Sequence, residues 1–316
     1  MNKHLPLKLG AHCCHDRLTA PSYSKSIGSN FIQMFIKSPK SYNVNTISDS
    51  DLRKLKKELI KNNCGFVIHS PYIINLARHP DQYQHSKGID VIVDDMNCGA
   101  KIGAIGAVIH MGKNVKSEKM TETTAFNNYV RGVEAILKKS DPLSTLILET
   151  GTGCGTEICH KLKHLGKIRK KVNKKYRNRI KFCIDTCHVF VAGYKLHDME
   201  YLDKFNKKIE KYLGWKNVAV IHLNDSKSAL GSNSDRHEDI GKGKIGLKPL
   251  VKFVSMCREK GIPMVLETPV GEHDGIKFTH KDQLKLIKEE LAKLDKLDIE
   301  SISSKSDDSD NSDNSN

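Results

Sequence analysis

Apolar positions along the chain gather into eight short runs of strand length: LKLGAH (7–12), NFIQMF (30–35), GFVIH (65–69), GAVIH (106–110), STLILE (144–149), KFCID (181–185), VAVIH (218–222) and PMVLE (263–267). Between them lie good helix formers with apolar residues at helical spacing, as in DSDLRKLKKELIKNN (49–63) and in LKPLVKFVSMCREKG (247–261), which ends on a glycine stop. Strand and helix alternate throughout. Such alternation calls for parallel strands joined by right-handed crossovers, and eight units over about 250 residues is the size of a (β/α)8 TIM barrel.

What closes the runs adds chemistry to this outline. Seven of the eight end in a side chain able to ligate a metal: His12, His69, His110, Glu149, Asp185, His222 and Glu267. In a parallel barrel every strand C-terminus lies on one rim, so these distant residues are expected to converge there, where active sites of the fold are built. One histidine at a strand end is more often a hydrogen-bonded structural residue; four runs closing with His and three with an acid form a joint pattern that this does not explain. Loops supply three further ligand types, His188 in FCIDTCHVFVAG (182–193) and Asp235 and His237 in SDRHEDIGKGKIG (234–246). Without His12, nine candidates remain. Imidazole and carboxylate donors without thiolates suit Zn²⁺ or another borderline divalent ion at an open site. Nine groups exceed what one ion uses, and two or three ions with a bridging carboxylate suit phosphoryl chemistry. Period-two alternation places Cys183 in the barrel one layer below Asp185, with Phe182 and Ile184 towards the helices. Cys183 and Cys187 read as small reduced structural residues, and Asp185 and His188 as the ligands of that segment.

Composition narrows the setting. With 316 residues, 38% hydrophobic, the chain can bury a sizeable core. It has no run of eighteen apolar residues and no signal-type N-terminus, so a soluble intracellular protein without a membrane partner is expected. Nine cysteines without a CxxC pair argue for reduced thiols, and the adjacent Cys13 and Cys14 are not expected to bridge without strain. The formal charge is +15, but the last eighteen residues, IESISSKSDDSDNSDNSN, hold five acids against one lysine, which leaves the rest at about +19. A folded domain over 1–298 and a disordered tail over 299–316 follow. The excess charge suits a polyanionic partner, against the simpler reading of a solvated Lys-rich surface. It is densest in KLKHLGKIRKKVNKKYRNRIK (161–181), with eleven Lys or Arg and no acid, read as one amphipathic helix with a basic outer face. Of two glycine-rich turns, GTGCGT (151–156) could cradle phosphate on its amides, whereas GKGKIG (241–246) reads as a turn packed beside DRH.

Several of these segments resemble a known family. IHSPYIINLA (68–77), VIHMG (108–112), LILETGTGCG (146–155), CIDTCHVFVAGY (183–194), IHLNDSK (221–227), GSNSDRHEDIGKGKIG (231–246) and MVLET (264–268) look like the successive signatures of endonuclease IV, the apurinic/apyrimidinic endonucleases, in order over residues 7–295. The resemblance implies a monomeric TIM barrel with three Zn²⁺ ions, acting on double-stranded DNA that contains abasic sites. It would hydrolyse the phosphodiester 5′ to the lesion, leaving a 3′-hydroxyl and a 5′-deoxyribose phosphate. Carried over by position, His69 and His110 would hold one zinc, Asp185 and His222 a second, with Glu149 bridging and Glu267 completing the ligands of the second ion. His188, Asp235 and His237 would hold the third. Glu149 and Glu267 would orient the attacking water and take its proton. Tyr72 falls where the family places an aromatic against the base stack, and Lys40 lies near its inserted arginine, although lysine neither stacks nor forks. The CCHDRL segment after LGAH departs from the family's small residues. Two other classes stand beside this one: a metal-dependent sugar isomerase or epimerase on the same barrel, which has no use for the third set of ligands, and a basic DNA-binding protein without chemistry, which needs no metal.

Overall fold

The computed structural model describes residues 5–13, 16–44 and 47–307, without the side chains of 298–307. Each apolar run forms one strand: Leu9–Cys13, Phe31–Met34, Gly65–His69, Ala107–Ile109, Leu146–Glu149, Ile180–Asp185, Val218–His222 and Met264–Leu266. They pair in parallel in sequence order, and the eighth pairs with the first, closing the barrel. Outside it lie α1 (Ala20–Ser26), α2 (Asp49–Lys61), α3 (Tyr83–Ile102), α4 (Glu122–Lys139), α5 (Leu162–Lys171), α6 (Thr186–Val191), α7 (Met199–Tyr212), α8 (Leu247–Arg258) and α9 (His280–Asp307). Local chemistry sets their ends. Ser48 Oγ accepts from Asp51 N at the start of α2, whose Leu52, Leu55 and Leu59 are buried, and Gly261 takes the left-handed conformation (φ +66°) after α8.

Side-chain alternation builds the interior in two tiers. Phe31, Val67, Val108, Ile147, Cys183, Val220 and Val265 meet as one closed apolar layer. Two residues further along the same strands stand Gln33, His69, His110, Glu149, Asp185, His222 and Glu267. The polar ring therefore rests on a dry floor. Gly10 occupies the matching position of the first strand, where a Cβ would lie 1.5 Å from the Phe31 carbonyl oxygen, and His12 follows it by the same two-residue step. Phe182 and Ile184 join the outer core, as the alternation predicts.

One expectation is corrected. The basic segment 161–181 is not one helix: α5 stops at Lys171, a 3₁₀ turn spans Lys174–Arg179 and the strand begins at Ile180. Val172 is buried in an extended conformation, Asn173 caps the following turn, and the Arg179 guanidinium bonds the carbonyls of Leu137, Asp141 and Ser144. At the C-terminus, α9 runs to Asp307. A helix already anchored by buried Leu284, Ile287 and Leu291 extends at little cost, because each added residue gains a hydrogen bond without a new nucleus. The remainder of the expected tail, 308–316, lies outside the described residues, as does Cys14.

Candidate metal centre

The polar ring brings His69, His110, Glu149, Asp185, His222 and Glu267 to one rim, and the loops after the sixth and seventh strands add His188, Asp235 and His237. Their ligand atoms form overlapping groups, each with all members within 4.8 Å of one another: His69, His110 and Glu149; Glu149, Asp185, His222 and Glu267; Asp185, His188 and His237. Glu149 joins the first two. Its Oε2 lies 3.5 Å from His69 Nε2 and 3.2 Å from His110 Nε2, and its Oε1 lies 3.0 Å from His222 Nδ1. Asp185 joins the second and third, with Oδ2 3.8 Å from His222 Nδ1 and 3.5 Å from His237 Nε2. Asp235 stands beside the third group, 3.2 Å from His188 Nε2 and 3.3 Å from His237 Nε2. Despite this crowding, Glu149 Oε2, His188 Nε2 and His237 Nε2 are buried without a well-aligned hydrogen bond. Buried polar atoms need partners, and this all-N/O set suits divalent cations.

The surroundings aim the rings. His69 Nδ1 faces the Ser70 carbonyl at 2.7 Å, His188 Nδ1 that of Thr150 at 2.8 Å and His237 Nδ1 that of Glu267 at 3.1 Å, so each Nδ1–H donates outward and Nε2 faces the centre. His222 is turned the other way: its Nε2 donates to Gln33 Oε1 at 2.8 Å and its Nδ1 faces inward. The Gln33 amide also donates to Glu267 Oε1 at 2.5 Å and meets His12 Nδ1 at 3.0 Å. Asn224 donates to Asp185 Oδ2 at 2.7 Å and accepts from Glu267 N at 2.8 Å, while Asp185 Oδ1 caps α6 at His188 N. Sequence reading missed Gln33, Asn224 and Phe35, whose ring packs edge-on to His12 and His69. For Gln33 a signal existed, since it occupies the same position after the apolar layer as the ligands do.

A cleft of about 330 Å³ opens over the ring, lined by Phe35, Tyr72, His110, His188, Asp235 and Glu267 among others. An adjoining one of about 340 Å³ runs past Tyr72 towards Asn75, Lys113 and Glu157. Tyr72 is 45% exposed at the junction. Lys40 is exposed on a rim loop and lines neither cleft; Tyr42 ties that loop to the Tyr72 segment by donating to the Ile73 carbonyl at 2.9 Å. GKGKIG is a turn, as expected, with its amides committed to Asp225, whose carboxylate accepts from the N–H groups of Gly241, Gly243 and Ile245 at 2.9–3.1 Å. GTGCGT is not followed directly by a helix, and its Gly153 N–H is taken by Glu157 at 2.7 Å. Cys187 sits beside Asp235 and His237, yet burial pushes its thiol up to about 12 and keeps it protonated; Cys183 behaves alike.

Without cations the cluster pairs its own charges. Burial pulls His237 down, but Asp185 and Asp235 outweigh it and raise the imidazole to about 9; His188 is raised by the same two carboxylates. Burial likewise pushes Glu149 up, and His222 and His110 reverse this to hold it low. The sign follows from linkage: a raised imidazole stabilises the cation-free fold below its unfolded value of 6.5 and loses that contribution as pH rises through about 9. Cation binding needs neutral nitrogens, so uptake at pH 7 is expected to release at least one proton per chain, fading above about pH 9. Calorimetric titration in buffers of different ionisation enthalpy measures this; buffer-independent heats at pH 7 would contradict the protonated pairs.

A family model described as a xylose isomerase-like TIM barrel matches residues 21–297. A putative endonuclease 4 of Acanthamoeba polyphaga mimivirus is 35% identical over 255 residues, 80% of this chain and 82% of that protein. A probable endonuclease 4 of Thermosipho melanesiensis is 35% identical over 286 residues, 88% and 96% of the two chains. Among solved structures, endonuclease IV of Thermus thermophilus superposes with a TM-score of 0.76 at 23% identity, covering 90% of this chain and 99% of that one. A D-tagatose 3-epimerase-like protein gives 0.66 at 15%, covering 91% and 99%. These two likenesses show the fold, which nucleases and epimerases share, whereas identity across most of the chain separates them. The chain therefore belongs to the endonuclease 4 family and, with it, to the nuclease hydrolases built on the xylose isomerase-like TIM barrel.

Proposed function

We propose that this protein is a zinc-dependent apurinic/apyrimidinic endonuclease that hydrolyses the phosphodiester 5′ to an abasic site in duplex DNA. The observation that carries this reading is the chain of ligand groups sharing Glu149 and Asp185 beneath an open cleft, in a chain 35% identical to endonuclease 4 proteins. Three ions fit the donors. His69, His110 and Glu149 would hold one, Glu149, Asp185, His222 and Glu267 a second, and His188, Asp235 and His237 a third, with Asp185 in reach of the last two. Bound there, the ions supply charge neutralisation for the phosphate and for the departing 3′ oxygen. The chain does the rest. Glu149 and Glu267 orient the attacking water and take its proton, and Gln33 fixes Glu267 through the 2.5 Å amide contact. Tyr72 offers its exposed ring to the gap left by the missing base, where unstacking costs least.

Incubation with a duplex carrying one abasic analogue is expected to yield a single cut ending in a 3′-hydroxyl that a polymerase extends. Chelation should abolish the cut and Zn²⁺ restore it. An unsaturated aldehyde end, the mark of a lyase, or full cutting after complete metal removal would refute the reading.

A further inference from the structure

The basic segment 161–181 divides into two chemically different sets. Lys161, Arg169, Arg177, Arg179 and Lys181 are spent on the backbone: their side chains bond the carbonyls of Ala192, Arg177, Val172, Ser144 and Lys216 respectively. Lys163, Lys167, Lys170, Lys171, Lys174 and Lys175 are exposed, and none has an ion-pair partner among the described residues. Three of these, Lys163, Lys167 and Lys171, follow one another at four-residue intervals on α5 and form a row roughly 12 Å long at 1.5 Å rise per residue.

Lys167 and Lys171 of this row line a groove of about 500 Å³ between α4 and α5. Phe126 and Asn127 of α4 form one side, and His160, His164, Lys167 and Lys171 the other. Lys167 Nζ lies over the Phe126 ring at 5.1 Å. Gly153, Gly155 and Glu157 close its upper end, and Glu157 also lines the cleft beside Tyr72, so the groove and the catalytic cleft meet across one loop. A surface that only needed charge would scatter it, with acids interspersed as on α2, where Lys54 pairs with Asp51 and Lys61 with Glu58. Along α5 a single sign is kept beside a groove that meets the site, and the acids of that groove, Glu122 and Glu157, belong to α4 and to the loop shared with the cleft.

We propose that this groove and its lysine row form a second contact for the DNA backbone, holding duplex that extends beyond the cleaved site down the outer wall of the barrel. The inference rests on the nuclease reading above. Lysine point charges with amide and hydroxyl neighbours suit phosphates without reading sequence, so the contact adds affinity and salt dependence rather than selectivity.

The test compares the metal-loaded wild-type chain with the triple variant Lys163→Gln, Lys167→Gln, Lys171→Gln and with a control triple, Lys54→Gln, Lys57→Gln, Lys61→Gln. Each binds a short abasic duplex and one lengthened by about two helical turns on each side, each turn about 10 base pairs. On the long duplex the groove variant is expected to bind at least tenfold more weakly, with a log–log salt slope smaller by about 3, near 0.9 per lysine. On the short duplex its affinity and turnover should match wild type, and the control should match wild type on both. Equal slopes for all three chains on the long duplex overturn the proposal. So does inorganic phosphate binding that explains the whole difference between chains independently of duplex length, because the groove would then be a small-anion site. Absence of incision by every chain would instead remove the nuclease reading, an outcome visible in the same reactions.

Discussion

Glu149→Gln is expected to cost at least about 10³-fold in incision rate, about 4 kcal/mol of transition-state stabilisation, and to lower the metal content of the chain by two ions rather than one. Glu149 is 1% exposed at the centre of the ring, and its two oxygens face different partners: His69 and His110 on one side, His222 on the other. Glutamine keeps the shape and removes the charge that both groups share. With the carboxylate gone, His222 loses its 3.0 Å contact to Oε1 and keeps Glu267 Oε2 at 3.1 Å. Breaking a buried charge set by deleting one member costs about 3–5 kcal/mol. Metal analysis beside a single-turnover incision assay checks both parts, with circular dichroism to show that the barrel persists. A variant that keeps its metal and cuts within tenfold of wild type would mean that Glu149 does not bridge.

Much of this centre was legible because a closed parallel barrel turns sequence periodicity into geometry. Once VAVIH and KFCID are strands of one barrel, His222 and Asp185 must end on the same rim, and two-residue alternation says which neighbours share the interior. The steps from Val67 to His69, Val108 to His110, Ile147 to Glu149 and Val265 to Glu267 obey the same rule. Gln33 obeys it too, but an uncharged amide inside NFIQMF carries no mark of its role until His222 and Glu267 are seen on either side of it. The same holds for Asn224, which looks like an ordinary loop polar residue until Asp185 lies 2.7 Å away. The basic block misled for another reason. Helical periodicity runs straight through Val172, and nothing in a list of lysines and arginines says that Arg177 bonds back onto carbonyls at the end of α5 and Arg179 onto those of the loop after α4. Tertiary contacts that end an element leave little trace in its own composition.

Asp225→Asn should combine a large loss of stability with a selective loss at one part of the centre. Asp225 is fully buried, and its carboxylate gathers the N–H groups of Ser226, Gly241, Gly243, Ile245 and Gly246. These contacts close the loop that carries Asp235 and His237, and they begin one residue after Asn224, the partner of Asp185. Space around the carboxylate is tight, since a Cβ on Gly243 would meet Asp225 Oδ1 at 2.5 Å. An asparagine must turn its own N–H₂ towards amides that already need acceptors. At about 1–3 kcal/mol for each buried group left unpaired, two lost acceptances cost about 2–6 kcal/mol, or about 3–9 °C in Tm for a chain of this size. His69, His110 and Glu149 stand on other strands, so the first ion is expected to stay, while the ion between His188, Asp235 and His237 is lost and incision falls about 10- to 100-fold, the scale of a lost supporting contact at a metal site. The fall in Tm should persist in the chelated protein, because it arises from backbone amides and not from the missing ion. Thermal unfolding with and without chelator, read beside metal content, separates the two effects; an unchanged Tm with full metal would show that the loop is held by its other contacts, such as Lys227 N to the Arg236 carbonyl at 2.9 Å.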